Sequence, residues 1–187
     1  MTKNILPCIC LIILSCTGCR ESSPERVVQA EDPLLSFRQD TLFHKQTPYS
    51  GQVITLFQNG DTACISNRRE GLEHGPCLKW YPNGQLAESR MFVKGVKTGT
   101  HLGWWEDATP RFEFHFLNGE HEGDAREWYT NGRPYKSFHY KNGYEDGSQK
   151  MWWENGVIRA NYAVRNGRRY GLIGLKLCSN PKDNPAP

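Results

Sequence analysis

Residues 75–95 read GPCLKWYPNGQLAESRMFVKG, and residues 123–143 read GDAREWYTNGRPYKSFHYKNG. Each stretch opens on a glycine, reaches a Trp-Tyr pair, turns at Asn-Gly, and returns through alternating residues to a closing Lys-Gly or Asn-Gly. The opening glycines belong to a series, Gly51, Gly75, Gly99, Gly123, Gly147 and Gly171, spaced 24 residues apart without a slip. Gly60, Gly84, Gly132 and Gly156 form a second column, in which Ala108 is the exception. Gly71, Gly95, Gly119, Gly143 and Gly167 form a third, and the three columns hold fifteen of the 18 glycines. A fixed period of this length marks a repeat architecture in which each unit rests on its neighbours.

The local chemistry says what the unit is. Asn-Gly between alternating segments is a hairpin signal, because both turn residues are expected to accept positive φ. The return segments carry rings at every second position, as in Phe112, Phe114 and Phe116 or Phe138 and Tyr140, which suits a strand. A second turn is implied at the closing Lys-Gly or Asn-Gly. The expected fold is therefore all-β, a repetitive antiparallel hairpin meander of about eleven strands in one extended layer. At roughly 4.8 Å between neighbours it would extend on the order of 50 Å. Asp107-Ala108-Thr109-Pro110 replaces Asn-Gly in the third unit, so a turn of another type, longer or bulged, is expected there.

Composition agrees with a shallow sheet. Of 187 residues 37% are hydrophobic and 12% aromatic, and 23 basic against 20 acidic residues leave a net charge of +3. The charges are mixed along the chain, so no field that would draw nucleic acid is present, and no nucleic-acid partner is expected.

The first residues are of another kind. Lys3 precedes a run from Ile5 to Leu14 interrupted only by Pro7, too short to cross a bilayer, followed by small residues and cysteines. The segment resembles a bacterial lipoprotein signal peptide, which implies cleavage before an acylated cysteine. Cys19, after Thr17 and Gly18, is preferred; Cys16, after Ser15, is the alternative, and a cleaved export signal without lipid is a third reading. The expected layout is a signal peptide over 1–18, a tether and irregular lead-in over 19–48, the array over 49–178 and a disordered tail over 179–187. Within the lead-in a tether is expected to about Asp32, then an irregular strand around Leu34 to Phe43. A membrane-anchored envelope location on the periplasmic or surface side follows. Cys64, Cys77 and Cys178 remain in the body, where a Cys64–Cys77 disulfide and buried thiols both stay open.

Nothing in the chain announces catalysis. It has no Gly-x-Ser-x-Gly, no phosphate-binding glycine loop and no cysteine-pair zinc spacing, so a non-enzyme without cofactor is expected. His115 and His139 share a column, but equivalent positions lie two strands apart, roughly 9.6 Å, too far to share a zinc ion. The columns with binding potential are aromatic: Trp80, Trp104, Trp128 and Trp152 after Leu56, and Tyr81, Trp105, Tyr129 and Trp153 after Phe57. They fit cross-strand packing, and equally a stacking surface for a protein, peptide or glycan partner. The segment after Tyr170 has no return strand and is expected to leave an edge.

The units G-x-x-x-x-W-Y-x-N-G followed by a return strand ending in x-N-G resemble MORN-type repeats, in the variant found in bacterial proteins labelled YwqK-family antitoxin components. The resemblance covers about residues 49–178, and it implies a repeat sheet used as a binding scaffold. The antitoxin label implies an alternative role as a neutralising or immunity-type protein. The exported leader departs from that label, because a cytoplasmic toxin is out of its reach.

Overall fold

The computed structural model describes residues 26–174. The expected leader, Cys19 and the tail lie outside the described residues. The lead-in contributes β1 (Val27–Gln29), β2 (Leu35–Arg38), β3 (Thr41–His44) and β4 (Thr47–Pro48). The first two units contribute β5 (Gly51–Leu56), β6 (Thr62–Arg69), β7 (Leu72–Trp80) and β8 (Leu86–Val93). The third and fourth give β9 (Val96–Lys97), β10 (Gly99–Trp104), β11 (Pro110–Leu117), β12 (Glu120–Trp128) and β13 (Pro134–Lys141). The last give β14 (Tyr144–Glu145), β15 (Gly147–Trp152), β16 (Ile158–Arg165) and β17 (Arg168–Leu172). All repeat strands join one sheet in sequence order, antiparallel to their neighbours, and the described residues contain no helix. The expected hairpin meander is the fold.

The two turns of each unit differ from expectation in an instructive way. At Asn59-Gly60 the Gly60 N–H donates to the Phe57 carbonyl at 2.9 Å, the Phe57 N–H donates to the Asp61 carbonyl at 2.8 Å, and Gly60, but not Asn59, has positive φ. This is a three-residue loop whose glycine forms a bulge, so one extra residue enters the return strand. The register shifts at the same place in every hairpin, between Thr55 and Leu56, Lys79 and Trp80, Gly103 and Trp104, Glu127 and Trp128, and Met151 and Trp152. Asparagine is there for its side chain: Asn59, Asn83, Asn131 and Asn155 each accept an N–H from two residues on. The third unit makes the same turn, against expectation. Asp107 accepts the Thr109 N–H at 3.0 Å, and Ala108 stands at φ 68 where the others have glycine.

Positive φ at both central residues belongs to the turns between units, at Glu70-Gly71, Lys94-Gly95, Asn118-Gly119, Asn142-Gly143 and Asn166-Gly167. These turns also stack along the array. The N–H groups of Gly95, Gly119 and Gly143 reach the carbonyls of Glu73, Lys97 and His121 in the preceding unit, at 2.7, 3.0 and 3.0 Å.

Register places the buried residues on one face. Cys77, Phe92, His101, Phe112, Phe116, Ala125, Phe138, Gln149, Ala160, Tyr162 and Val164 all lie there. A single layer cannot sandwich a core, so the rings lie over the sheet and against one another. Phe92 meets His101 at 5.6 Å, His101 meets Phe116 at 4.5 Å, Phe116 meets His121 at 4.4 Å, and His121 meets Tyr140 at 4.9 Å.

The lead-in corrects the expectation of a tether to Asp32. β1 pairs with β5 in parallel and is the outer strand at that end of the sheet. β2, β3 and β4 form a second small sheet in which Leu42 is 1% and neighbouring Tyr49 2% exposed. It docks on the first inter-unit turn: the Leu42 N–H donates to the Gly71 carbonyl at 2.9 Å, and the Gly71 N–H donates to the Tyr49 carbonyl at 2.7 Å. A side chain at Gly71 would drive into Thr41 and Leu42, which fixes this approach.

Candidate binding surface

The two aromatic columns sit where each outgoing strand meets its turn. Trp80, Trp104, Trp128 and Trp152 pair across the hairpin with Leu86, Pro110, Pro134 and Ile158, and all four are half-buried. Tyr81, Trp105 and Tyr129 are half-buried as well, whereas Trp153 is exposed. The second column binds the units together. Tyr81 Oη donates to the Trp104 carbonyl at 3.1 Å and Tyr129 Oη to the Trp152 carbonyl at 2.9 Å, each one unit ahead. Arg111 lies over the Trp105 ring at 5.6 Å, Arg159 over Trp153 at 4.5 Å, and Tyr135 against Tyr129 at 5.2 Å. Those three partners are the bulged residues, so the loop geometry supplies each ring with its neighbour. The structure thus sets these rings along the hairpin ends, with the Tyr81 and Tyr129 hydroxyls spent on the array and the Trp105 indole N–H buried without a partner.

Ladder and strand geometry alternate from unit to unit. In the second and fourth units the outgoing strands β7 and β12 run unbroken, carry small Cys77 and Ala125, and end at Trp80 and Trp128, each followed by a tyrosine. In the third and fifth the strand is interrupted after β9 and β14, and a large polar side chain fills the space below. His101 Nε2 donates to the Met91 carbonyl at 2.9 Å, and Gln149 Nε2 donates to the His139 carbonyl at 2.8 Å, both ten residues back. Residues 73–94 and 122–142, in the second and fourth units, match the family model of the MORN repeat variant. Two of the units are MORN-type repeats. No curated protein matches the chain.

Several charged groups on the array are paired. Glu88 is buried among Lys79, Arg90 and Arg111, and these cations outweigh its burial and hold its carboxyl below the usual range. His139 pairs with Asp124 at 2.8 Å and His115 with Glu113 at 3.2 Å. Among the described residues no group of three or more His, Cys, Asp or Glu is placed to hold a metal ion.

The ends of the array are unlike each other. At the first, the three-residue strand β1 is the outer strand and the small sheet docks on the first inter-unit turn. At the last, β17 has β16 on one side and no strand among the described residues on the other. Beside it lies an open hollow of about 940 Å³, lined by Tyr140, Tyr144, Glu145, Arg168, Arg169 and Tyr170 among others. Tyr144 is 80% exposed and Tyr170 55%. Glu145 is held from two sides, by Arg169 Nε at 3.1 Å and by the Tyr162 hydroxyl, which donates to it at 3.1 Å. Burial, with the carboxylate beside it, raises Tyr162 to about 12 and keeps that hydroxyl a donor. Glu145 is thereby committed, while Arg168 faces the hollow with no carboxylate partner among the ion pairs found there. The sequence signal for this surface was the segment without a return strand, and the hollow's lining was not read from it.

Proposed function

We propose that the protein is a non-catalytic binding scaffold of the bacterial cell envelope, held to the membrane by a lipid on Cys19. Its partner is a protein that adds an extended, acidic segment beside β17. The observation that carries this reading is the outer side of β17, which has no partner strand among the described residues, together with the hollow beside it. An uncovered edge strand offers backbone donors and acceptors to another strand, and the hollow offers Tyr144 and Tyr170 to its side chains. The basic residues there favour an acidic segment. MORN-type repeats support a scaffold, because the array presents a rigid edge at a distance from the anchor. The apolar run and cysteines of the leader support the membrane attachment.

The test is photo-crosslinking in intact envelopes, with the reactive residue in place of Tyr170 in one variant and Gln58, in the first hairpin turn, in another. Capture of one protein from position 170 but not from 58 supports the reading. Equal capture from both positions, or from neither, opposes it. Metabolic labelling with a palmitate analogue, lost on Cys19→Ala, tests the anchor separately.

A further inference from the structure

Cys64 on β6 and Cys77 on β7 stand on adjacent strands, on the same face, one register step apart: Cys64 is opposite Lys79, and Cys77 is opposite Ser66. Both are free, and their thiols hydrogen-bond to each other. They line a cavity of about 350 Å³ whose roof is the small sheet, through Leu35, Phe37 and Leu42, and whose wall includes Arg68, Glu73 and Lys79. The ladder breaks beside Cys77. Ser66 pairs with Cys77 and Arg68 next pairs with Glu73, so His74, Gly75 and Pro76 have no register partner on β6, while Gly75 and Pro76 keep Phe92 and Met91 as partners on β8.

We propose that Cys64 and Cys77 form a reversible thiol–disulfide exchange site that accepts low-molecular-weight disulfides and closes into a bond between β6 and β7. Cys64 is the attacking group, being half-buried beside Lys79 and Arg68, whereas Cys77 is buried. The Cys64 thiolate attacks one sulfur of the disulfide R–S–S–R, that S–S bond breaks, and the first RS⁻ leaves and takes up a proton. Cys77 then loses its proton to solvent and attacks the Cys64 sulfur of the mixed disulfide, expelling the second RS⁻, which is protonated in turn. The protein loses two protons and two electrons, and R–S–S–R becomes two R–SH. The electrostatics assist the division of labour. The hydrogen bond from Cys77 lowers Cys64 to about 7 against the opposing effect of burial, with Lys79 and Arg68 lowering it and Glu73 raising it. The same hydrogen bond and burial push Cys77 up. The small sheet contributes only uncharged residues to the cavity lining, so no ionisable group from that side opposes the thiolate. A bond spanning two strands one step out of register is less relaxed than one between directly opposed residues, which favours reversible closure over a permanent brace.

The experiment equilibrates the full chain with mixtures of reduced and oxidised glutathione, quenches with an alkylating reagent and maps peptides by mass spectrometry. The expected result is a Cys64–Cys77 linked peptide that grows with the oxidised fraction and disappears on reduction. Cys77→Ser, with folding checked by circular dichroism, should retain one glutathione on Cys64 that the parent does not retain. Alkylation of both thiols at every ratio, or stable separate glutathione adducts in the parent, would overturn the proposal. The peptide map of the parent decides the matter even if the variant fails to fold.

Discussion

Replacing Ala108 by glycine should stabilise the protein, although it removes a methyl group and improves no contact. Ala108 is held at φ 68, and the equivalent residues Gly60, Gly84, Gly132 and Gly156 have φ between 78 and 90. An L-residue in the left-handed region costs about 1–2 kcal/mol. Introducing glycine gives back roughly 0.4–1 kcal/mol through the greater freedom of the unfolded chain. The net gain is about 0.5–1 kcal/mol, which for a chain of this size raises the melting temperature by roughly 1–4 °C. Gly84→Ala is the mirror experiment. A Cβ at Gly84 meets nothing within 4 Å, so its cost is backbone conformation alone, and it should lower stability by a similar amount. Urea denaturation followed by tryptophan fluorescence and by circular dichroism measures both. If Ala108→Gly is neutral or destabilising while Gly84→Ala destabilises, the third hairpin does not share the turn of its neighbours.

Other expectations follow from single side chains. Burial lowers the pKa of His101, so the folded state resists a proton that the unfolded chain accepts. The contribution of His101 to stability is complete above about 6.5 and declines as pH falls below that value toward the folded pKa. His101→Gln, which copies Gln149 in the equivalent position, should fold and show a shallower loss of stability between pH 7 and 5 in urea titrations. Glu88→Gln should cost about 2–3 kcal/mol, because it leaves Arg90 and Arg111 facing a neutral group in a largely buried setting. Tyr81→Phe and Tyr129→Phe should each cost about 1 kcal/mol, the value of one partly buried hydrogen bond, read from urea midpoints. Cys77→Ala should slow iodoacetamide alkylation of Cys64 at pH 7, since the hydrogen bond it removes is the largest influence lowering Cys64.

The period of 24 residues was legible because glycine is needed at backbone positions that recur in each unit, and fixed backbone needs survive where side chains vary. The assignment of turn types was not. Asn-Gly serves a two-residue loop through its backbone and a three-residue loop through the asparagine side chain, and the dipeptide alone does not distinguish them. Asp107 accepts the same N–H as asparagine, so the third turn looked broken in sequence and is intact in structure. In the lead-in, β2 and β3 fall where one irregular strand was expected, whereas β1, inside the expected tether, has only three residues and is too short to show alternation. The order of β2 to β4 comes from Leu42 and Tyr49 meeting a turn more than twenty residues away. The aromatic columns were located from sequence, but their use was not. That Tyr81 spends its hydroxyl on Trp104 depends on how successive hairpins stack, and the hollow beside β17 gathers side chains from β13, β14, β16 and β17 that are far apart in sequence.

The most direct test of the central claim compares capture of envelope proteins by three forms of the full chain: the parent, Tyr144→Ala with Tyr170→Ala, and Trp104→Ala with Trp128→Ala, with folding of each checked by circular dichroism. Binding at the C-terminal end predicts that the tyrosine pair abolishes capture of the partner held by the parent, and that the tryptophan pair, if folded, retains it. Capture retained by the tyrosine variant and lost from a folded tryptophan variant would contradict the account and return the site to the aromatic columns.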